Sequence, residues 1–181
     1  MIRFRYDTRE YDFAGWAGGL LGVDDLATLH GAPRPSPGMT LEEHRLLMLK
    51  KIHDHREQLD PLLHRFVRRV VEPVFGPISS YQDHACLRIH MQGGGSISRF
   101  HRDDAWGQRA GVQNVWIPFT RVWGSNTLWV ESEPGRGDFA PVSLNYGEAV
   151  VFPGAELEHG SVANNSGSTR VSADVRVTPR S

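Results

Sequence analysis

A mainly β fold, a jelly roll backed by N-terminal helices, is what this chain predicts, on three observations. Two helical apolar repeats lie before residue 80. After it come short apolar or alternating runs punctuated by glycine, proline and asparagine. A length of 181 residues with 39% hydrophobic content suffices for one substantial core but not comfortably for two. The chain is therefore read as a single domain, 1–181, with 1–80 as helical and loop support packed on one sheet and 81–179 as the β core.

In chain order, the start MIRFRYDTREYDFAGW has charge but no continuous apolar segment of signal-peptide type. From Leu21 to Gly38, with APRPSPG inside it, the prolines fix φ and remove donors, so a loop is expected. Thr40 with Glu43 forms a capping box ahead of Leu46, Leu47, Leu49 and Ile52, which predicts one helix. Asp60 before Pro61 reads as a cap for a second helix bearing Leu62, Leu63, Phe66, Val67 and Val70, ending before Pro73. The strands expected after that are CLRIHMQ, VQNVWIPF, NTLWV, APVSLNY, EAVVFP, HGSVA and TRVSADVRV. In the last, Val171, Ala173, Val175 and Val177 share one face, and Arg170, Ser172, Asp174 and Arg176 the other.

Charge and cysteine content narrow the chemistry. The 20 basic and 21 acidic residues give no electrostatic footprint for nucleic acid or an anionic membrane, so a small-molecule partner is expected. No stretch approaches the roughly 20 apolar residues that span a bilayer, and a cytoplasmic location is expected. The oligomeric state is open. Cys86, the one cysteine, excludes an internal disulfide and a multi-cysteine zinc site, and reads as a small buried hydrophobe. Chemistry then rests on His, Asp, Glu and Arg.

The segment SRFHRDD, residues 98–104, sets His101 and Asp103 two positions apart. On an extended chain they point the same way, with Cα atoms roughly 7 Å apart, and can share a metal ion. Alone, such a pair is more often solvated than ligating. His159, in ELEHGSVANNSG, is the candidate that completes it. Two neutral imidazoles and a carboxylate on one face of an iron leave three positions open, as in non-haem Fe(II) oxygenases, with room for O2 and a cosubstrate. If 2-oxoglutarate takes two of them, its far carboxylate needs a permanently charged, bidentate partner. Arg170, eleven residues after His159, fits that need, with Ser172 on the same face.

H-x-D, a distal His and R-x-S in this order resemble the Fe(II)/2-oxoglutarate-dependent oxygenases with a double-stranded β-helix core. Within them, SRFHRDDAWG, GSNTLWVESEPGRGDF and TRVSADVRV look like the StrG-type, phytanoyl-CoA-hydroxylase-like group of natural-product and antibiotic biosynthesis, over about residues 80–180. The resemblance implies that His101, Asp103 and His159 are the catalytic iron ligands and that Arg170, assisted by Ser172, binds 2-oxoglutarate. By likeness to a DTLW-type strand, Thr127 touches the cosubstrate. Related halogenases carry a small residue where Asp103 stands, so hydroxylation or another oxidation is implied over halogenation. The implied reaction converts 2-oxoglutarate and O2 to succinate and carbon dioxide while a small polar metabolite is oxidised.

Other residues carry two readings each. Arg88, His90 and Gln92 share a strand face that either meets substrate or is solvated. Trp116, with Trp106, Trp123 and Trp129, shapes an apolar mouth or fills the core. Asn114 and Asn126 orient a ligand or serve turns, and Arg176 binds an anionic substrate or the ligating carboxylate, or pairs with Asp174. His53, His55 and His64 lie on helices, where i and i+2 side chains diverge, and are read as solvated. The glycines at 93–95 lack a phosphate-loop pattern and are read as a flexible turn that lets the His101 segment cover the site. Segments around Trp106 and Arg109, and the loop 33–38, are lid candidates. A cupin-like metal isomerase or epimerase and a non-catalytic metal- or ligand-binding jelly roll stay open beside the oxygenase; Arg170 with Ser172 separates the oxygenase from the isomerase or epimerase.

Overall fold

The computed structural model describes residues 1–106 and 111–180, the side chains at 105 and 106 excepted. The side chain of Trp106 and the whole of Arg109, both lid candidates, lie outside the described residues. In chain order come β1 (Ile2–Arg5), α1 (Phe13–Leu21), α2 (Leu41–Asp54), α3 (Asp60–Phe66), α4 (Glu72–Phe75), β2 (Ile78–Tyr81), β3 (Cys86–His90), β4 (Gln113–Pro118), β5 (Trp129–Val130), β6 (Ala140–Pro141), β7 (Glu148–Phe152), β8 (His159–Gly160) and β9 (Arg170–Pro179). The strands form mainly antiparallel sheets. The larger runs β1–β7–β4–β9–β2, with β3 also paired to β9, and the smaller runs β6–β5–β8.

Alternation on the larger sheet divides the interior in two. Val115, Ile117, Ala149, Val151, Val171, Ala173, Val175 and Val177 face the helices and join Ile52, Leu63, Phe66 and Val71 in one core. Trp116, Val150 and Phe152 face the smaller sheet and pack with Val130, Val142 and Leu157 in a second. Each fully buried side chain of this size contributes about 1.5–3 kcal/mol. The polar face of β9 shares that second side, so the site is sandwiched between the sheets and the helices lie behind it.

Several expectations are corrected. IRFRY supplies an edge strand, β1, which pairs with β7 and is fixed because Phe4 and Tyr6 pack on the Phe66 ring. FAGWAGGLL forms α1, capped by the Asp12 carboxylate on the Gly15 amide at 2.8 Å. The expected loop 21–38 contains a 3-10 turn, Leu26–Gly31, because Asp25 caps it and Leu26 and Leu29 are buried. The α2 capping box forms as expected. Leu59, not Asp60, holds the N-cap position of α3, which has no side-chain cap, and the Asp60 carboxylate instead meets the His84 ring at 2.7 Å. The helix does not end before Pro73. A π turn over Val67–Val71 opens the ladder where the proline ring would strike the Arg69 carbonyl, and α4 carries Pro73 in its first turn. The 93–95 turn is pinned rather than loose: Gly93 donates to Asn164 O at 2.8 Å, and Gly94 O accepts from Asn164 N at 2.9 Å. Cys86 is only half-buried, against Arg88, and burial pushes its thiol pKa up. Among the described residues no helix is long and apolar enough to cross a membrane.

Candidate metal centre

The backbone converges the three predicted ligands. His101 and His159 form an isolated antiparallel bridge, each amide donating to the other's carbonyl at 3.0 and 2.9 Å. Asp103 opens a short 3-10 turn, and its amide donates to Gly154 O at 2.9 Å. A Cβ on Gly154 would lie 2.6 Å from the Asn114 amide nitrogen and 2.9 Å from Asp103 Oδ2, so the close approach of this chain to the carboxylate requires glycine. At Gly160, beside His159, a Cβ would lie 2.9 Å from Phe100 backbone atoms.

The side chains are oriented as ligands need to be. His101 Nδ1 lies 2.7 Å from Arg99 O, and His159 Nδ1 lies 2.9 Å from Leu157 O. A carbonyl only accepts, so each Nδ1 carries the proton and each Nε2 lone pair is free. Asp103 Oδ1 stands 3.3 Å from His101 Nε2 and 3.7 Å from His159 Nε2. Adjacent ligands on an octahedral metal with bonds of about 2.1 Å are about 3.0 Å apart, close to these separations. All three ligand atoms lie within 4.8 Å of one another. Burial lowers the His159 pKa, which favours the neutral, ligating form. The other oxygen, Asp103 Oδ2, accepts from Asn114 Nδ2 at 2.7 Å and meets Arg176 Nη2 at 3.5 Å.

Rows across the larger sheet underlie the cavity: Phe152–Asn114–Arg176, then Trp116 beside Asp174, then Arg88 beside Ser172, then His90 beside Arg170, with Ser172 and His90 themselves outside the lining. The cavity, about 450 Å³, is of a size that holds small molecules. His101, Asp103, His159, Arg170, Arg176, Arg88, Asn114 and Trp116 all line it. Arg170 is 3% exposed and stacks 5.6 Å from the Trp116 ring centre. Its Nη1 donates to Asn126 O at 3.0 Å, while its Nε has no partner. Burial, with Arg88 nearby, pulls its pKa down to about 9. Ser172 Oγ and Asn126 Nδ2 are likewise buried without partners.

Thr127 is not brought to the cavity: its hydroxyl donates to Val142 O, and it lies outside the lining. Arg176 meets Asp103 rather than Asp174, which pairs loosely with Arg88 at 3.9 Å. His90 is buried with its Nε2 on Gly95 O, and Gln92 accepts from the Gly167 amide. Residues 33–38 do not line the cavity.

The streptomycin biosynthesis protein StrG of Streptomyces griseus is 32% identical to this chain over 183 residues, covering 99% of the chain and 85% of that protein. The chain belongs to the StrG family. The likeness to StrG reaches well beyond residues 80–180, through β1 and the helices that the sequence motifs left aside. No family model matches the chain. Solved structures alike in fold include EctD from S. alaskensis, at TM-score 0.57 and 17% identity over 98% of this chain and 72% of that one. Another is the non-haem monooxygenase ThoJ in its nickel complex, at TM-score 0.51 and 19% identity over 65% of this chain; the match spans 54% of ThoJ.

Against that StrG-family background, several site features lay outside the sequence reading. Asp174, read from sequence only as a partner for Arg176, faces the cavity with its pKa raised by burial. Phe152 sets its ring edge-on to His159 at 5.1 Å. Ser161 Oγ takes the amides of Ile97 and Ser98, each at 3.1 Å, and so ties the segment before His101 to the strand of His159. Period-two alternation in EAVVF and in β9 pointed to Phe152 and Asp174; nothing local pointed to Ser161.

Proposed function

We propose that the protein is a non-haem Fe(II)- and 2-oxoglutarate-dependent dioxygenase, its two sheets those of a double-stranded β-helix, that oxidises a small polar metabolite in natural-product biosynthesis in the cytoplasm. The observation that carries this reading is Arg170. A guanidinium buried to 3% exposure, with no acidic partner among the described residues, opens into the cavity that holds the three convergent ligands. An uncompensated buried charge costs several kcal/mol, and an entering carboxylate removes that cost. A metal isomerase or epimerase needs such a group only where its own substrate is anionic.

His101, Asp103 and His159 would hold the iron. When bound, Fe(II) with 2-oxoglutarate supplies oxidation of the substrate by O2, coupled to decarboxylation of the cosubstrate to succinate. Arg170 holds the far carboxylate through its unpartnered Nε; Ser172, on the same strand face, is fully buried and lies outside the cavity lining, so its hydroxyl assists from behind Arg170 rather than from the cavity wall. Arg99 O and Leu157 O fix the two imidazoles, and Asn114 with Arg176 holds Asp103 Oδ2 so that Oδ1 alone faces the two rings. Trp116, Leu128 and Phe152 form a dry wall that orients substrate.

The test separates metal from cosubstrate. His101→Ala should abolish specific binding of one divalent metal ion. Arg170→Gln should keep the metal but weaken 2-oxoglutarate binding by about 2–5 kcal/mol, roughly 30- to 5,000-fold. Unchanged cosubstrate affinity in Arg170→Gln would return the site to the isomerase or binding-module readings.

A further inference from the structure

Four arginines, Arg88, Arg99, Arg170 and Arg176, line the cavity against two aspartates, Asp103 and Asp174, an excess of two positive charges. On the oxygenase reading, a divalent metal and the dianionic cosubstrate cancel each other, so the excess persists when both are bound. Two of the arginines are already committed, Arg170 to the cosubstrate carboxylate and Arg176 to Asp103 at 3.5 Å. Arg99 is not, and Arg88 spends only Nη1, on Cys86 Sγ, beside one long ion pair. Arg88 rises from β3 beside Ser172 with its side chain 41% exposed, and its ion pair with Asp174 is long, 3.9 Å. Burial raises the Asp174 pKa, which makes that carboxylate a weaker counter-charge. Arg99 is exposed, two residues before the ligand His101, and has no acidic partner among the described residues. Like charges gathered in a half-enclosed site repel, and an oxyanion is the ligand that relieves them.

We propose that the substrate of this site is anionic, a small molecule bearing a phosphate or carboxylate group, and that Arg88 and Arg99 receive that group while its oxidised carbon lies toward the metal. This rests on the oxygenase reading for the presence of cosubstrate, but the anion subsite is measurable without it. Planar guanidiniums suit both oxyanions through paired N–H donors, so phosphate and carboxylate share the recognition chemistry.

The full chain is loaded with Ni(II) and saturated with 2-oxoglutarate, and inorganic phosphate or malonate is titrated by calorimetry. Saturable binding of one of them on the order of 1 mM or tighter is expected, the tighter one identifying the group carried by the substrate. In Arg88→Gln and Arg99→Gln that affinity should fall about tenfold each, with 2-oxoglutarate affinity unchanged. Three results overturn the proposal. One is no saturable binding of either anion. The second is undiminished binding in both variants. The third is competition by 2-oxoglutarate, or an equal loss of 2-oxoglutarate affinity in Arg88→Gln, which assigns the arginines to the cosubstrate. Failure of 2-oxoglutarate itself to bind sinks the oxygenase reading alone, because phosphate binding and its loss in the two variants are still read on the metal-loaded chain.

Discussion

Asn114 donates to Asp103 Oδ2 at 2.7 Å, while Oδ1 faces the two imidazoles. Asn114→Ala removes one side of that support and leaves Arg176 at 3.5 Å as the other. A hydrogen bond to a charged group contributes about 1.5–3 kcal/mol, which converts to about a 10- to 150-fold change in a binding constant. Because Arg176 still restrains the carboxylate, a 10- to 50-fold loss of divalent metal affinity is expected, within the range about tenfold to hundredfold typical of groups that orient ligands. Gly154→Ala perturbs the same contact from the other side, by forcing a methyl group to within 2.6 Å of the amide and 2.9 Å of the carboxylate unless both move. Titration of Ni(II) or Co(II) into the folded variants by calorimetry, with urea unfolding as a control for the fold, reads the effect directly. Metal affinity within twofold of wild type in both variants would refute the reasoning, since the carboxylate would then be held by something other than these contacts.

Gly160→Ala places a Cβ 2.9 Å from the Phe100 backbone, and should cost about 1–3 kcal/mol of stability, seen as a lowered urea midpoint. Thr40→Ala breaks the capping box of α2 and should cost about 1 kcal/mol, a drop of roughly 2–4 °C in Tm, without altering metal affinity. His90 is fully buried, and burial with Arg170 nearby pushes its pKa down to about 4. The unfolded chain, titrating near about 6.5, takes up a proton that the folded chain refuses, so this contribution is whole above pH 6.5 and falls by up to about 3 kcal/mol as pH drops toward 4. His90→Gln should flatten the stability profile between pH 6.5 and 5; an unchanged slope there would place its origin elsewhere.

The ligand candidates were legible because few side chains bind iron and strands alternate with period two. Those constraints marked the His101–Asp103 pair and the polar face of β9 with Arg170 from local pattern, while His159 joined them only through the need for a distal ligand and the order of the motifs. What escaped depends on distant pairing. That Asn114 meets Asp103 follows from where β4 lies beside β9 and from the Gly154 approach, and no window of sequence contains either. Thr127 stands in a suggestive stretch, yet its hydroxyl is taken by Val142, fifteen residues on, and a motif carries no record of such competition. Three glycines masked α1, and β1 buries only Phe4 of its four residues, too weak a pattern to mark a strand. The helix through Pro73 depended on a π turn that composition does not announce.

One strand links the fold to the site. On β9, Val171, Ala173, Val175 and Val177 are sealed in the core beneath the helices, while Arg170, Ser172, Asp174 and Arg176 alternate with them on the opposite face, where all but Ser172 line the cavity. Arg170 Nε, Ser172 Oγ and Arg176 Nε are buried without partners, an arrangement that disfavours the ordered strand when no anion is bound. Burial of the opposite apolar face offsets that penalty, at about 0.8 kcal/mol per buried CH₂. The helices contribute no lining residue; they pack on the apolar face of β9, opposite the guanidinium, which is held by Asn126 O and the Trp116 ring. On the proposed reading, an entering anion finds donors already desolvated and oriented, so binding energy goes to the contact rather than to ordering the strand, and ligand binding would couple to folding stability through the same four alternating pairs.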